Sequence, residues 1–204
     1  NSENKTTVTI DGRVETHHFN ATGYEGSEDP AGNGTSTFKM GQFRPFEQND
    51  AQGNSTYMQW SDDGKRLESV TDAQDNETSF SYDSQDRLIA STDAEGRVTE
   101  YTYGDTNVPR QPTVIKVKEG TTLLRQQEFV YDSKGRTTSE KLINPDDGTS
   151  VLQETIRQYW GSGTGNGLLK KIAVQDLQAS SEETTEYDYD AQGRVIYTKQ
   201  GSLA

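Results

Sequence analysis

Carboxylates are the most abundant reactive groups in this chain, with 33 Asp and Glu against 20 Lys and Arg in 204 residues. Two such acids at a fixed separation across a cleft can hydrolyse a glycosidic bond, and oxygen ligands can hold a hard cation. The clustered candidates are Asp62-Asp63 and Asp146-Asp147-Gly148. Neither carries the spaced acidic ladder of an EF-hand, so Ca2+ is the weak cofactor option and solvated turns are the plainer reading. His17 and His18 are the only histidines, and strand neighbours point to opposite faces, which keeps them from chelating one ion together. The absence of cysteine removes thiolate nucleophiles, zinc-thiolate sites and disulfides. No serine sits in a G-x-S-x-G elbow, and GSGTGNG (161–167) runs into Leu168-Leu169-Lys170-Lys171 rather than the Lys-Ser/Thr step of a phosphate loop. The expectation is a protein without catalytic, cofactor or metal residues, and not an enzyme.

The elements that carry these acids repeat. DAQGNSTYMQWSDDGKRLESVT (50–71), DAQDNETSFSYDSQDRLIAST (72–92) and DAEGRVTEYTYGD (93–105) align with Trp60, Tyr82 and Tyr103 in register at spacings of 22 and 21 residues. Tyr131, Tyr159 and Tyr189 extend the series at 28, 28 and 30 residues, and Phe38 lies 22 residues before Trp60. A fixed period of this length marks a stacked repeat architecture.

Each period reads as a β-hairpin. TEYTY (99–103) and TTEYDY (184–189) alternate in strand-forming residues, and YDSQDRL, YDSKGRT and YDAQGRV follow as turns. In these, Asp83, Asp132 and Asp190 can accept a backbone N–H two residues on, while Gly135 and Gly193 supply the positive φ and Asp86 tolerates it. A second turn type, D-A-x-G/D, recurs at 50–53, 72–75 and 93–96. No run of helical length has a clean 3.6 period. The fold class is therefore all-β: successive antiparallel β-hairpins forming an elongated, curved or spiralling sheet, stabilised by neighbour contacts. Arg87, Arg97, Arg136 and Arg194 are expected to lay their stems over the rings and meet the turn carboxylates.

Only 28% of the residues are hydrophobic, yet 18 are Phe, Tyr or Trp. Rings at repeating positions in so polar a chain read first as the buried layer. If Trp60, Tyr82, Tyr103, Tyr131 and Tyr189 instead faced solvent, they would form a row for stacking on glycan. A formal charge of −13 and the lack of a basic patch argue against nucleic acid as a partner, and no run of 18 to 20 apolar residues suits membrane insertion. Asn4, Asn20, Asn33, Asn54 and Asn76 open N-x-S/T sequons, which a Ser- and Thr-rich chain also accumulates by chance.

YDSQDRLIASTDAEGRVTEYTYG (82–104) closely resembles the YD repeat, also called the Rhs repeat, and YDSKGRT (131–137) and YDAQGRV (189–195) look like further copies. Trp60-Ser61, Tyr103-Gly104 and Tyr159-Trp160 depart from the Tyr-Asp pair. The family comprises large secreted or surface proteins: bacterial Rhs and wall-associated toxins, insecticidal toxin complex shells, and teneurins. The resemblance implies a spiralling sheet that forms a shell, and for a chain of this length an arc of its wall.

The organisation expected is a divergent N-terminal β segment at 1–49, made of degenerate repeats or serving assembly, then YD-type hairpins over 50–204 with longer insertions at 105–127, 138–153 and 161–183. The functional expectation is a non-catalytic, extracellular or cell-surface scaffold or shell-wall segment. Its partners would be the remainder of a larger YD-repeat protein, copies of itself, or surface glycan or protein. The alternatives are a carbohydrate-binding or adhesion module, and a filament subunit that self-assembles by strand addition.

Overall fold

A computed structural model describes residues 4–10, 13–20, 23–28, 34–41, 44–50, 52–163 and 165–203. Asn33 lies outside the described residues, as does the side chain of Phe38. Every regular element among the described residues is a β-strand, and they fall in two compact units, Asn1–Gly96 and Arg97–Ala204.

The first unit holds β1 (Asn4–Ile10), β2 (Arg13–Asn20), β3 (Gly23–Glu28), β4 (Gly34–Gly41), β5 (Arg44–Asp50), β6 (Ser55–Trp60), β7 (Leu67–Thr71), β8 (Glu77–Tyr82) and β9 (Leu88–Thr92). Each strand pairs antiparallel with the next. The second unit holds β10 (Arg97–Thr102), β11 (Val114–Glu119), β12 (Thr122–Tyr131), β13 (Thr137–Ile143), β14 (Val151–Tyr159), β15 (Leu169–Asp176), β16 (Ser181–Tyr189) and β17 (Val195–Leu203), again paired in succession. Short strands alternate with short polar connections, the arrangement that the hairpin repeat demands, and strands about 4.8 Å apart make each sheet wider across its strands than along them.

The two turn types share one five-residue geometry. In the Tyr-Asp turns, Asp83 Oδ1 accepts the N–H groups of Gln85 and Arg87, and Asp83 Oδ2 accepts Arg87 Nε at 2.6 Å. Asp132 does the same with Lys134 and Arg136, and Asp190 with Gln192 and Arg194. In the Asp-Ala turns that begin at Asp50 and Asp72 the fifth residue is asparagine: Asn54 Nδ2 donates to Asp50 Oδ2 at 2.8 Å and Asn76 Nδ2 to Asp72 Oδ2 at 2.9 Å. The fourth position has positive φ in these turns, 85° at Gly53 and 78° at Gly135, and 62° and 58° at Asp75 and Asp86.

Packing follows from sheets one layer thick. Val108, Ile143 and Ala173 are the buried apolar residues among those described. Most other apolar side chains, like Phe80 and Tyr82 on one face of β8, are half-buried. A single layer cannot enclose a side chain on all sides, so modest apolar content is sufficient. The long Lys and Arg stems supply the remaining cover.

Candidate functional site

Trp60, Tyr82, Tyr131, Tyr159 and Tyr189 close even-numbered strands, each at the same irregularity, whereas Tyr103 lies just past β10 and has none. The ladder register shifts between Gln59 and Trp60, Ser81 and Tyr82, Val130 and Tyr131, Gln158 and Tyr159, and Asp188 and Tyr189. The extra residue lies on the returning strand, as Thr138 does opposite Val130 and Tyr131. Bulges of this kind increase local twist and re-aim the neighbouring side chain. Here each ring is turned back toward the preceding strand.

The turned rings make one contact in common. Tyr82 Oη donates to the carbonyl of Leu67 at 2.9 Å, Tyr131 Oη to Pro112 at 2.7 Å, Tyr159 Oη to Thr137 at 2.8 Å and Tyr189 Oη to Leu169 at 2.9 Å. Trp60 Nε1 donates to the Pro45 carbonyl at 2.7 Å. The acceptors follow a rule. Leu67 pairs with Trp60, Thr137 with Tyr131 and Leu169 with Tyr159. Each of the three tyrosines 82, 159 and 189 therefore clasps the residue opposite the preceding aromatic.

Trp60, Tyr82, Tyr103, Tyr131 and Tyr189 are all half-buried. Partial burial raises the phenols of Tyr82, Tyr131 and Tyr189 above the ordinary tyrosine range. Cations cover other rings: the Arg136 guanidinium lies 4.1 Å from the Tyr159 centroid, and that of Arg44 lies 5.1 Å from Trp60. Trp60 also borders an open hollow of about 420 Å³ with Arg44, Phe46 and Met58.

Trp160 stands one residue past the register of the repeating aromatics, and that offset hides its role in the sequence. Its Nε1 donates to the Tyr187 carbonyl at 3.2 Å and Lys170 Nζ lies 4.8 Å from its ring. The signal that could have found it is the pair of adjacent aromatics at a strand end.

The clustered acids turn their oxygens onto their own loops. Asp63 accepts the Ser61 hydroxyl at 2.6 Å and the Lys65 amide, which hold its carboxyl down at about 2. Asp147 accepts the Ser150 hydroxyl and the amides of Thr149 and Ser150, and is likewise lowered to about 2. The arginine or asparagine at the fifth turn position similarly keeps Asp50, Asp72, Asp83, Asp132 and Asp190 below the usual carboxylate value. Among the described residues no three His, Asp or Glu side chains converge on a common point suited to a metal ion.

The RHS repeat family model matches residues 60–98 and 82–108. No curated protein matches the sequence. In fold, the chain is similar to the Photorhabdus luminescens Tc holotoxin pore, with 15% identity and a TM-score of 0.63 over 93% of this chain and 10% of that one. It is also similar to the TcdB2-TccC3 crystal structure, with 14% identity and a TM-score of 0.50 over 99% of this chain and 15% of that one. The TcdB2-TccC3-Cdc42 structure gives the same identity, coverage and TM-score. The chain thus spans 10% to 15% of the length of the chains it resembles. The matched sequence lies across 60–108, and the same bulge at the ring and the same hairpin order recur at the later tyrosine-ended strands β12, β14 and β16. Residues 60–108 thus match the RHS, or YD, repeat, and the later hairpins share their geometry.

Proposed function

We propose that this chain is a length of non-catalytic extracellular wall or scaffold, a segment of a larger RHS-repeat assembly. The observation that carries the reading is the clasp from Tyr82, Tyr159 and Tyr189 to the carbonyl opposite the previous aromatic. The conspicuous side chains of the repeat join one hairpin to its predecessor, which is what a wall requires. Similarity to toxin-complex components supports a site outside the cell and association with other protein subunits. Hydrogen exchange on the chain alone tests this: a wall segment protects its strand amides without any ligand, and exchange as fast as an unfolded chain would sink the reading.

A second reading, glycan recognition through Trp60, Tyr82, Tyr103, Tyr131 and Tyr189, is favoured by the half-exposed rings and by the hollow beside Trp60. Titration with soluble glycans, followed by tryptophan fluorescence, tests it, and a Trp60→Ala chain that responds equally would exclude that hollow. Filament growth, with the segment 1–49 as the assembling strand region, is the third reading. It requires molecular size to rise with concentration, so a strict monomer across dilutions removes it.

A further inference from the structure

One hairpin departs from the turn that the others share. Asp83, Asp132 and Asp190 each follow a tyrosine and close a five-residue turn, whereas Trp160 follows Tyr159. Trp160 N–H donates to the Leu168 carbonyl at 3.0 Å and its carbonyl accepts the Gly167 N–H at 2.7 Å, so a longer glycine-rich loop, 161–167, takes the place of the turn. Joining the hairpins does not require this indole, because Tyr159 already makes the clasp. A break in an otherwise consistent local rule is where function is expected.

The indole borders a hollow of about 410 Å³ together with Gln158, Lys170, Lys171, Glu186, Asp188 and Tyr197. That volume lies within the roughly 300 to 1,000 Å³ of small-molecule sites. Gln158 pairs with Lys171 and Lys171 with Glu186, which sets the three in one cross-strand row, and Asp188 stands two residues along on the same face. Tyr159 and Tyr189 each come one residue later, so the clasping rings occupy the other face. β14, β15 and β16 are paired on both sides, and the row is therefore formed within the sheet.

The chemistry of the lining narrows the ligand. Trp160 Nε1 is engaged by the Tyr187 carbonyl at 3.2 Å, which fixes the ring as a flat plate. Among the described residues no hydrogen bond or ion pair engages the side chains of Gln158, Lys171, Glu186 or Asp188, unlike the acids of the turns. The ammonium groups of Lys170 and Lys171 offset the carboxylates of Glu186 and Asp188, so the hollow favours neither a cation nor an anion. Free donors and free acceptors around an aromatic plate suit hydroxyl groups, which are both donor and acceptor. A pyranose presents such hydroxyls around the rim of an apolar C–H face.

We propose that this hollow binds a single neutral pyranose, stacked on Trp160 and sharing its hydroxyls among Lys171, Glu186 and Asp188. The sugar would take the place over the indole that the exposed Lys170 ammonium holds at 4.8 Å, a contact that is weak at an exposed site. The site is separate from the row of repeating rings and from the hollow beside Trp60, and it goes beyond the wall reading.

The test is an amide NMR titration of the full chain with cellobiose, maltose and lactose. The expected result is saturable shifts at 158–160, 170–171 and 186–188 with at least one of the three at millimolar sugar, lost in Trp160→Ala. Glu186→Ala should weaken binding about tenfold, the loss of a hydrogen bond to a charged group. Glucuronate and glucosamine should bind no more tightly than glucose. No saturable shift with any of the three disaccharides, equal binding by Glu186→Ala, or tighter binding of either charged sugar would overturn the proposal. Should Trp160→Ala lose its strand protection, Glu186→Ala decides alone, since that side chain is exposed. Shifts centred on Trp60 instead would assign the sugar to the ring row and sink this site. Strand protection in the chain without sugar tests the wall reading separately and is indifferent to this outcome.

Discussion

Tyr159 reaches past its own hairpin to donate its hydroxyl to the carbonyl of Thr137, the residue that pairs with Tyr131. One side chain therefore ties a strand end to the closing pair of the hairpin before it. Removing only the hydroxyl, in Tyr159→Phe, should lower stability by about 1 kcal/mol. Urea denaturation would read this as a lower midpoint at unchanged slope. An unchanged midpoint would mean that the ring and not the hydroxyl holds the joint.

Gly165 has a φ of +84°, and a Cβ there would come within 2.9 Å of Tyr189 Cδ2. Gly165→Ala must move the ring or the loop, and we expect a loss of roughly 1 to 3 kcal/mol, as overpacking usually brings. Near-ultraviolet circular dichroism should record the altered tyrosine environment. A variant with native spectrum and midpoint would show that the loop yields freely.

Asp75 occupies the positive-φ turn position, at 62°, that Gly53 fills in the equivalent turn. Asp75→Gly should raise thermal stability, by up to about 1 kcal/mol, because glycine meets no Cβ penalty in this conformation. The reciprocal Gly53→Ala should lower it by a similar amount. Thermal melts of the pair check the sign of each change.

The turn carboxylates predict a definite acid response. Asp63 and Asp147 titrate in the folded chain at about 2, below their reference of 3.8, owing first to the hydroxyls of Ser61 and Ser150. A lowered folded value means that the unfolded chain binds protons first. The contribution is fully present above about pH 4 and is lost as pH falls toward about 2. Melting temperature should therefore be level from about pH 7 to 5 and fall between about pH 4 and 2. The double change Asp63→Asn and Asp147→Asn should flatten that fall, and an undiminished slope would assign it to the other turns.

The hairpin repeat and its turns were legible because they are written in side chains. Tyr82 and Tyr103 recur at 21 residues, and Asp83, Asp132 and Asp190 stand where an acceptor is needed. The roles assigned to Arg87, Arg136 and Arg194 opposite those acids agree with the structure. The partners of these rings were not legible. Their acceptors at Leu67, Thr137 and Leu169 are backbone carbonyls, which any residue supplies, so the joint leaves no residue signature at its receiving end. The bulges are equally silent, since Glu68 and Thr138 on the returning strands share no chemistry. The amides of Asn54 and Asn76, which close turns on Asp50 and Asp72, were not picked out as turn partners either.

The four tyrosine clasps all run from a later residue to an earlier one. This gives the joint a direction in time as well as in space. As a ribosome releases such a chain from its N-terminus, each emerging tyrosine meets an acceptor that has already been made. A hairpin can lock to its predecessor before its successor exists. Translation order and assembly order coincide, so the polypeptide can be laid down course by course on a finished template.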